Sequence, residues 1–257
     1  SSFYCLTDLG GFEMGGSILG NRVLRKEDPK FLTTGGVYVD DLLDEPALIG
    51  ALHVTYVRST VAHGIITSID TSDAASMPGI VAVFTGKDLG LEFVPSAYNP
   101  AATRTLLATD KVRFVGEPIV AIVSETREEG EDAIDAVIID YDVLPALIDL
   151  EEAMASSSLL YEACGSNVVF DSMVLGLPDN TGDAYFADCE VVAKGRFINQ
   201  RVAPCPLEVR GAAAAWGKDG RLTQWLSTQH AQGAVAPLAA ANGVDPSMVH
   251  VKTPDVG

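Results

Sequence analysis

Apolar and polar residues alternate over short stretches of the first 145 positions, a pattern that predicts strands more than long helices. The expected strands are residues 37–39, 48–56, 64–69, 79–84, 112–124 and 137–141. Within 112–124, the sequence Gly116-Glu117-Pro118 interrupts the apolar run, and residues 119–123 are apolar throughout. A continuous apolar stretch of this length is typical of a strand that is buried on both faces.

Helical signals between these strands are short. Thr126 is followed by acidic residues, which suit the free amides at a helix N-terminus, so a helix is predicted from there to about residue 136. A helical turn is expected at 73–77, and Thr85 can cap another that ends near residue 89. Residues 95–102 contain two prolines and predict a loop.

Changes of pattern divide the chain into regions. Residues 1–29 lack periodicity and predict an N-terminal arm, 30–145 form a first domain, and 146–167 read as a linker. In residues 168–257, strands are expected at 168–170, 189–197, 212–216, 222–226 and 248–251, with a hairpin turn at 217–220. An alanine-rich helix over 231–242 is predicted despite Pro237, closed by Gly243. Together these elements predict an α+β fold.

The composition narrows the class of protein. Seventeen basic and 35 acidic side chains give a net charge of −18, which would repel a polyphosphate backbone and argues against a nucleic-acid partner. Neither a membrane span nor a secretory signal is indicated, so a cytoplasmic location is expected. The four cysteines and four histidines lack the spacing of zinc or iron–sulfur sites. We therefore expect any metal to arrive with its own organic ligand or to bind elsewhere.

Nine short segments carry a resemblance to a known family. In the first region they are residues 25–29, 38–41, 57–63 (Val-Arg-Ser and then Ala-His), 77–80 and 115–118. In the second region they are residues 195–201, 206–211, 227–229 and 254–257. In this order they resemble the large subunits of molybdenum hydroxylases, the family of xanthine dehydrogenase, aldehyde oxidase and carbon monoxide dehydrogenase.

The resemblance implies both a fold and a chemistry. Residues 30–145 would form the α/β hammerhead domain of this family, and 168–257 the first strands and helix of an incomplete molybdopterin-binding domain. Such enzymes oxidise an aldehyde, an N-heterocycle or carbon monoxide, with water as the oxygen source, at a molybdenum–molybdopterin cofactor. Electrons pass to 2Fe-2S clusters and FAD on partner subunits or domains. The implied partners are an iron–sulfur small subunit, a flavin medium subunit and the remainder of the catalytic domain, in a dimer of heterotrimers.

The same resemblance implies two cofactor-binding residues. Gln229 ends the Ser-Thr-Gln segment, where the family's glutamine lies beside the metal and can donate a hydrogen bond to an oxygen ligand. Gly257 would begin a glycine-containing loop whose backbone closely approaches the pterin and the metal. The family's catalytic glutamate is expected beyond residue 257. We therefore expect no catalytic residue in this chain and no activity from the chain alone.

Other residues and other classes of protein receive plainer interpretations. His63 is interpreted as a structural histidine, and Glu208 with Arg210 as an ion pair at a strand end. His230 either lines a substrate pocket or starts the helix. Two alternative functions stay open: a non-catalytic structural or assembly subunit that retains the hammerhead scaffold, and a stand-alone α+β binding module. Strands left unpaired near the end of the chain disfavour the second alternative.

Overall fold

The computed structural model describes residues 24–91, 93–96, 98–155, 157–170, 183–200 and 202–256. They form two compact units, one of residues 50–200 and one that combines the described residues before 50 with those after 200. Most of the predicted arm, residues 1–23, lies outside the described residues. Residues 30–49 lie in the second unit, and the described residues 168–170 and 183–200 lie in the first, so the bounds of these units differ from those of the predicted domains.

The strands are β1 (His53–Arg58), β2 (Gly64–Asp70), β3 (Ile80–Thr85), β4 (Val94–Pro95), β5 (Thr103–Arg104), β6 (Lys111–Val112), β7 (Pro118–Ser124), β8 (Ile138–Val143), β9 (Ala212–Trp216), β10 (Leu222–Leu226) and β11 (Val249–Lys252). The α-helices are α1 (Asp28–Thr33), α2 (Ser72–Ala75), α3 (Arg127–Asp132), α4 (Leu150–Ala155) and α5 (Ala231–Asn242). The predicted α+β class is confirmed. No helix in the described part of the chain is long and apolar enough to cross a membrane.

Antiparallel sheets build the 50–200 unit. One sheet has the order β1-β7-β3 and another the order β6-β2-β8, while β4 pairs with β5. Strand β7 lies in the middle of its sheet, and Ile119, Val120 and Ile122 are fully buried. The prediction of a buried strand is confirmed there, because β7 has a hydrogen-bonded neighbour on each side and core side chains against it.

The predicted helix start at Thr126 is confirmed by the geometry of its cap. Thr126 Oγ1 accepts a hydrogen bond from Glu129 N at 3.3 Å, and the Glu129 carboxylate accepts one from Thr126 N at 3.0 Å. This reciprocal capping box satisfies two amides that the first turn of a helix leaves unpaired. Helix α3 then tightens into a 3-10 turn over Ala133–Ala136, the predicted end of the helical segment.

The segment predicted as a linker is attached to the first unit by specific hydrogen bonds. Asn167 holds it from within, accepting from Leu160 N at 3.0 Å and donating to Ala153 O at 3.0 Å. From the end of β6, Arg113 Nε donates to Leu160 O at 3.0 Å, and Lys111 Nζ donates to Leu159 O at 3.0 Å. The segment is therefore a packed connection, since its carbonyls serve as partners for two basic side chains.

A β-α-β crossover forms the centre of the second unit. The sheet order is β11-β10-β9, with β9 and β10 antiparallel across the predicted hairpin turn and β10 and β11 parallel on either side of α5. Gly243 ends α5 with φ of +63°, a left-handed conformation that favours glycine, as predicted. Because β10 and β11 are parallel, the loops that follow them leave the sheet at the same edge.

Four predicted elements are wrong. Residues 37–39 do not form a strand, because the Asp41 carboxylate accepts from Tyr38 N at 2.9 Å and closes a 3-10 turn over Val39–Asp41. After Thr85, the Asp88 carboxylate accepts from Thr85 N at 2.8 Å and produces a turn instead of a helix. Residues 168–170 and 189–197 alternate like strands but pair with no other described strand, and residues 189–197 are exposed.

Candidate functional site

The edge of the second sheet where β10 and β11 end is the candidate site. Residues 227–230 connect β10 to α5, and residues 253–256 follow β11. Trp225 pairs with Lys252 in the parallel register, so the two loops start from adjacent positions. In parallel β-α-β units, ligands bind at this carboxyl edge of the sheet, where loops and a helix N-terminus meet.

Gln229 lies in the first of these loops, two residues before α5 begins, and it is exposed. The loop is held at its base by Ser227. The Ser227 hydroxyl accepts a hydrogen bond from Gly211 N at 2.9 Å, and Ser227 N donates to Gly211 O at 3.2 Å. The backbone at the base of the loop is therefore fixed, and the Gln229 side chain is exposed on that loop.

Helix α5 contributes a free N-terminus to this edge. Its N-cap residue, His230, makes no side-chain capping bond, and the first turn contains no acidic residue. The first amides of such a helix carry a partial positive charge and favour an anionic group. The His230 ring lies back against Gly233, where an added Cβ would come within 2.0 Å of it. His230 lies at the helix start, directly after Gln229.

The loop after β11 is fixed by Asp255. Its carboxylate accepts hydrogen bonds from the Lys30 ammonium and from Val37 N, the latter at 2.8 Å. The bond from Lys30 and then that from Val37 hold the pKa of Asp255 below its ordinary value. Asp255 is thus ionised at neutral pH. Gly257, the second predicted cofactor-binding residue, lies outside the described residues.

The donors at this edge fit an anionic organic ligand better than a bare metal ion. They are the amide of Gln229 and the backbone amides of the first turn of α5, both of which donate hydrogen bonds to negatively charged oxygen, phosphate or sulfur groups. Among the described residues, no group of three or more His, Cys, Asp or Glu side chains is placed to hold a metal ion. A metal bound through a pterin dithiolene with a phosphate tail is compatible with such donors.

The other residues considered from the sequence differ in their exposure. His63 is 1% exposed in the 50–200 unit, with Nδ1 2.8 Å from Pro145 O. Glu208 is buried and Arg210 is exposed. Sequence reasoning missed the contact of Lys30 and Val37 with Asp255, since more than 200 residues separate the partners and no local pattern links them.

Two family models match the chain. Residues 33–145 match the aldehyde oxidase and xanthine dehydrogenase a/b hammerhead domain, and residues 161–257 match the molybdopterin cofactor-binding domain. The chain is 36% identical to the nicotine 6-hydroxylase large subunit of Paenarthrobacter nicotinovorans over 94% of its own length. It is 35% identical to the carbon monoxide dehydrogenase large chain of Afipia carboxidovorans over 93% of its length.

Solved structures give the same picture. The chain resembles quinoline 2-oxidoreductase from Pseudomonas putida 86 with a TM-score of 0.76 and 32% identity, over 91% of this chain and 30% of that one. It resembles carbon monoxide dehydrogenase from Oligotropha carboxidovorans with a TM-score of 0.77 and 33% identity, over 93% of this chain and 31% of that one. The chain spans about 30% of the length of the two sequence relatives, with 30% of the first and 31% of the second covered.

Proposed function

Because this chain belongs to the family of molybdenum hydroxylase large subunits that includes xanthine dehydrogenase, aldehyde oxidase and carbon monoxide dehydrogenase, we propose that it forms part of the catalytic subunit of such an enzyme. Residues 33–145 contribute the hammerhead domain. Residues 161–257 contribute the beginning of the molybdopterin-binding domain. The enzyme oxidises an aldehyde, an N-heterocycle or carbon monoxide with oxygen taken from water.

The observation that carries this proposal is the position of Gln229. It lies between a strand end and the uncapped N-terminus of α5, at the carboxyl edge of a parallel pair of strands. That edge combines a side-chain amide with the positive end of a helix of 12 residues. This is an arrangement for holding an anionic cofactor, in the part of the chain that matches a molybdopterin-binding domain.

When bound, the molybdenum–molybdopterin cofactor supplies the two-electron oxidation of the substrate: water provides the oxygen, two protons are released, and the electrons leave towards other redox groups. This chain's own residues bind and orient the cofactor. The Gln229 amide donates a hydrogen bond towards it, and the backbone amides at the start of α5 offset negative charge. For Gly257, which lies outside the described residues, the proposed role rests on its residue type, because a residue without a side chain allows a close approach of the cofactor to the backbone.

The partners follow from the same proposal. We expect an iron–sulfur small subunit with 2Fe-2S clusters, a flavin medium subunit with FAD, and the remainder of the catalytic domain with its glutamate base, assembled as a dimer of heterotrimers. Relatives include the gamma subunit of the 6-hydroxypseudooxynicotine dehydrogenase complex and the carbon monoxide dehydrogenase large chains. The names of these and other relatives refer to nicotine, carbon monoxide, quinoline and aldehydes, which supports a small, uncharged or weakly basic substrate class.

Purification of the native complex through this chain tests the proposal. Molybdenum and iron are measured by mass spectrometry, and pterin and flavin by fluorescence after release. Molybdenum with pterin, iron and flavin is the expected content. A complex without any of them would overturn the proposal and identify the chain as a non-catalytic structural or assembly subunit. A stable, monodisperse monomer without partners would instead identify a stand-alone module.

A further inference from the structure

Residues 28–48, which we name the N-terminal strap, contact the second loop of the candidate site directly and are linked to the first loop through Gly211. The contact with the second loop is at Asp255. Asp255 N donates to Val37 O at 3.0 Å, and the Asp255 carboxylate accepts from Val37 N at 2.8 Å. The Lys30 ammonium donates to the same carboxylate oxygen. Three hydrogen bonds therefore fix a residue three positions after the last residue of β11.

The link to the first loop begins at Val39. Val39 is 8% exposed, and its side chain packs on Gly211, where an added Cβ would lie 3.1 Å from Val39 Cβ. Gly211 in turn holds Ser227 by hydrogen bonds from its N and to its O. Because Ser227 starts the loop that carries Gln229, a displacement of Val39 reaches that loop through a single intervening residue.

A third contact links the strap to the last residue of β11. Glu45 lies 3.9 Å from the Lys252 ammonium at the end of β11. The same ammonium lies 4.9 Å from the ring centroid of Trp225 in β10. The strap therefore contacts the carboxyl end of β11, and Lys252 at that end packs in turn on Trp225 of β10. All of these residues lie in one compact unit.

We propose that the N-terminal strap positions the candidate site, so that Lys30, Val39 and Asp255 are positioning residues for the cofactor loops. The inference rests on the proposed function. Loops that must hold a cofactor in one geometry need support from residues outside them, because an unsupported loop samples many conformations. The strap provides this support from residues that precede the hammerhead sheets in sequence. The segment matched to the molybdopterin-binding domain starts more than 100 positions later.

Hydrogen exchange and cofactor content in the purified complex test this role. The variants are Lys30→Met, Asp255→Ala and Val39→Ala, and Lys30→Arg is the conservative variant that keeps a donor for Asp255. Lys218→Met is the matched control, since Lys218 is an exposed lysine of the same unit. Amide exchange is followed in peptides covering residues 227–231 and 253–256, and pterin and molybdenum are measured per chain.

We expect Asp255→Ala to accelerate exchange in the 253–256 peptide about tenfold, and Lys30→Met about two- to fivefold because an exposed ion pair contributes less. Val39→Ala should accelerate exchange in the 227–231 peptide. Asp255→Ala, Lys30→Met and Val39→Ala should all lower the molybdenum and pterin content per chain. Lys30→Arg and Lys218→Met should keep the wild-type content. Wild-type exchange or wild-type cofactor content in the strap variants would overturn the role of the strap. A wild-type complex without molybdopterin would overturn the proposed function and the strap's role with it.

Discussion

Lys111 and Glu162 form an ion pair in which Lys111 Nζ lies 2.6 Å from Glu162 Oε1, although the two residues are 51 positions apart in sequence. The Lys111 side chain is 5% exposed and that of Glu162 is 69% exposed. The buried member is thus a cation whose ammonium is satisfied by a surface carboxylate and by Leu159 O. The pair attaches the connecting segment to β6, which makes that segment part of the first unit.

Substituting Glu162 should therefore lower the unfolding free energy more than substituting Lys111. Glu162→Ala leaves a buried ammonium with one partner fewer and is expected to cost about 1–3 kcal/mol of unfolding free energy, whereas Lys111→Met removes the buried charge and should cost less. Urea unfolding of both variants measures the difference, with Lys87→Met, an exposed lysine of the same unit, as the control. Equal losses in the two variants would contradict a buried-cation origin.

The same ion pair has a defined pH dependence. The hydrogen bond from Lys111 holds the pKa of Glu162 below its ordinary value, with burial opposing that effect. A carboxylate whose pKa is lower in the folded state stabilises that state above the unfolded pKa and loses this contribution as pH falls through the folded pKa. The difference in stability between wild type and Glu162→Gln should shrink at acidic pH. A difference that stays constant from neutral to acidic pH would refute the assignment.

Glu117 should respond to pH in the opposite direction. It is 2% exposed, Oε2 accepts from Arg113 N at 2.6 Å, and Oε1 has no hydrogen-bond partner among the described residues. Burial raises the pKa of Glu117 above its ordinary value, against the opposing bond from Arg113. A raised carboxyl pKa means that the folded state binds its proton more tightly, so stability is lost as pH rises from the unfolded pKa through the folded one.

Glu117→Gln should therefore gain stability relative to wild type as pH rises above roughly 4, the ordinary titration range of a glutamate. Thermal unfolding at several pH values measures this, and Glu131→Gln on the exposed side of α3 is the matched control. If Glu117→Gln is less stable than wild type by the same amount at pH 8 and at pH 4, the pKa of Glu117 is not raised in the folded state.

Gly79 supports the helix start at Thr126 from another part of the chain. Its φ is +75°, and an added Cβ would come within 2.0 Å of the Glu129 carboxyl group that completes the capping box. Gly90 also has a left-handed φ, +57°, but no atom within 4 Å of an added Cβ. Gly90→Ala should cost about 1–2 kcal/mol from backbone strain, and Gly79→Ala about 1 kcal/mol more from loss of the cap. Equal costs in chemical denaturation would exclude the contact with Glu129.

Gln229 is the residue on which the proposed site depends. Gln229→Ala in the complete complex should leave molybdenum content nearly unchanged and slow turnover roughly ten- to a hundredfold, the scale of a lost hydrogen bond to a charged or strongly polar group. Gln229→Glu should be slower still, since a carboxylate would face an electron-rich cofactor. Asn242→Ala, which changes an exposed amide side chain at the opposite end of α5, is the control and should keep wild-type rates. A Gln229→Ala enzyme with full molybdenum and wild-type turnover would show that Gln229 is only a loop residue.

The sequence alone determined the elements whose signals are local. The buried strand β7, the cap at Thr126 and the end of α5 at Gly243 each depend on residues within a few positions, and each appears as predicted. The family was also accessible from sequence, because its short segments occur in a fixed order along the chain. Such signals are readable in the sequence because a cap depends on residues within a few positions, and because a strand buried on both faces requires a continuous apolar run.

Only the tertiary structure decided how distant segments combine. Residues 189–197 have the alternation of a strand, but a strand exists only when another backbone completes its hydrogen bonds, and alternation cannot supply that partner. Residues 28–48 read as the end of an arm and the start of the first domain. They belong to the second unit because Asp255 and Gly211 provide polar and packing contacts more than 150 positions away. Contacts at such separations arise from the folded chain as a whole and leave no periodic trace in sequence.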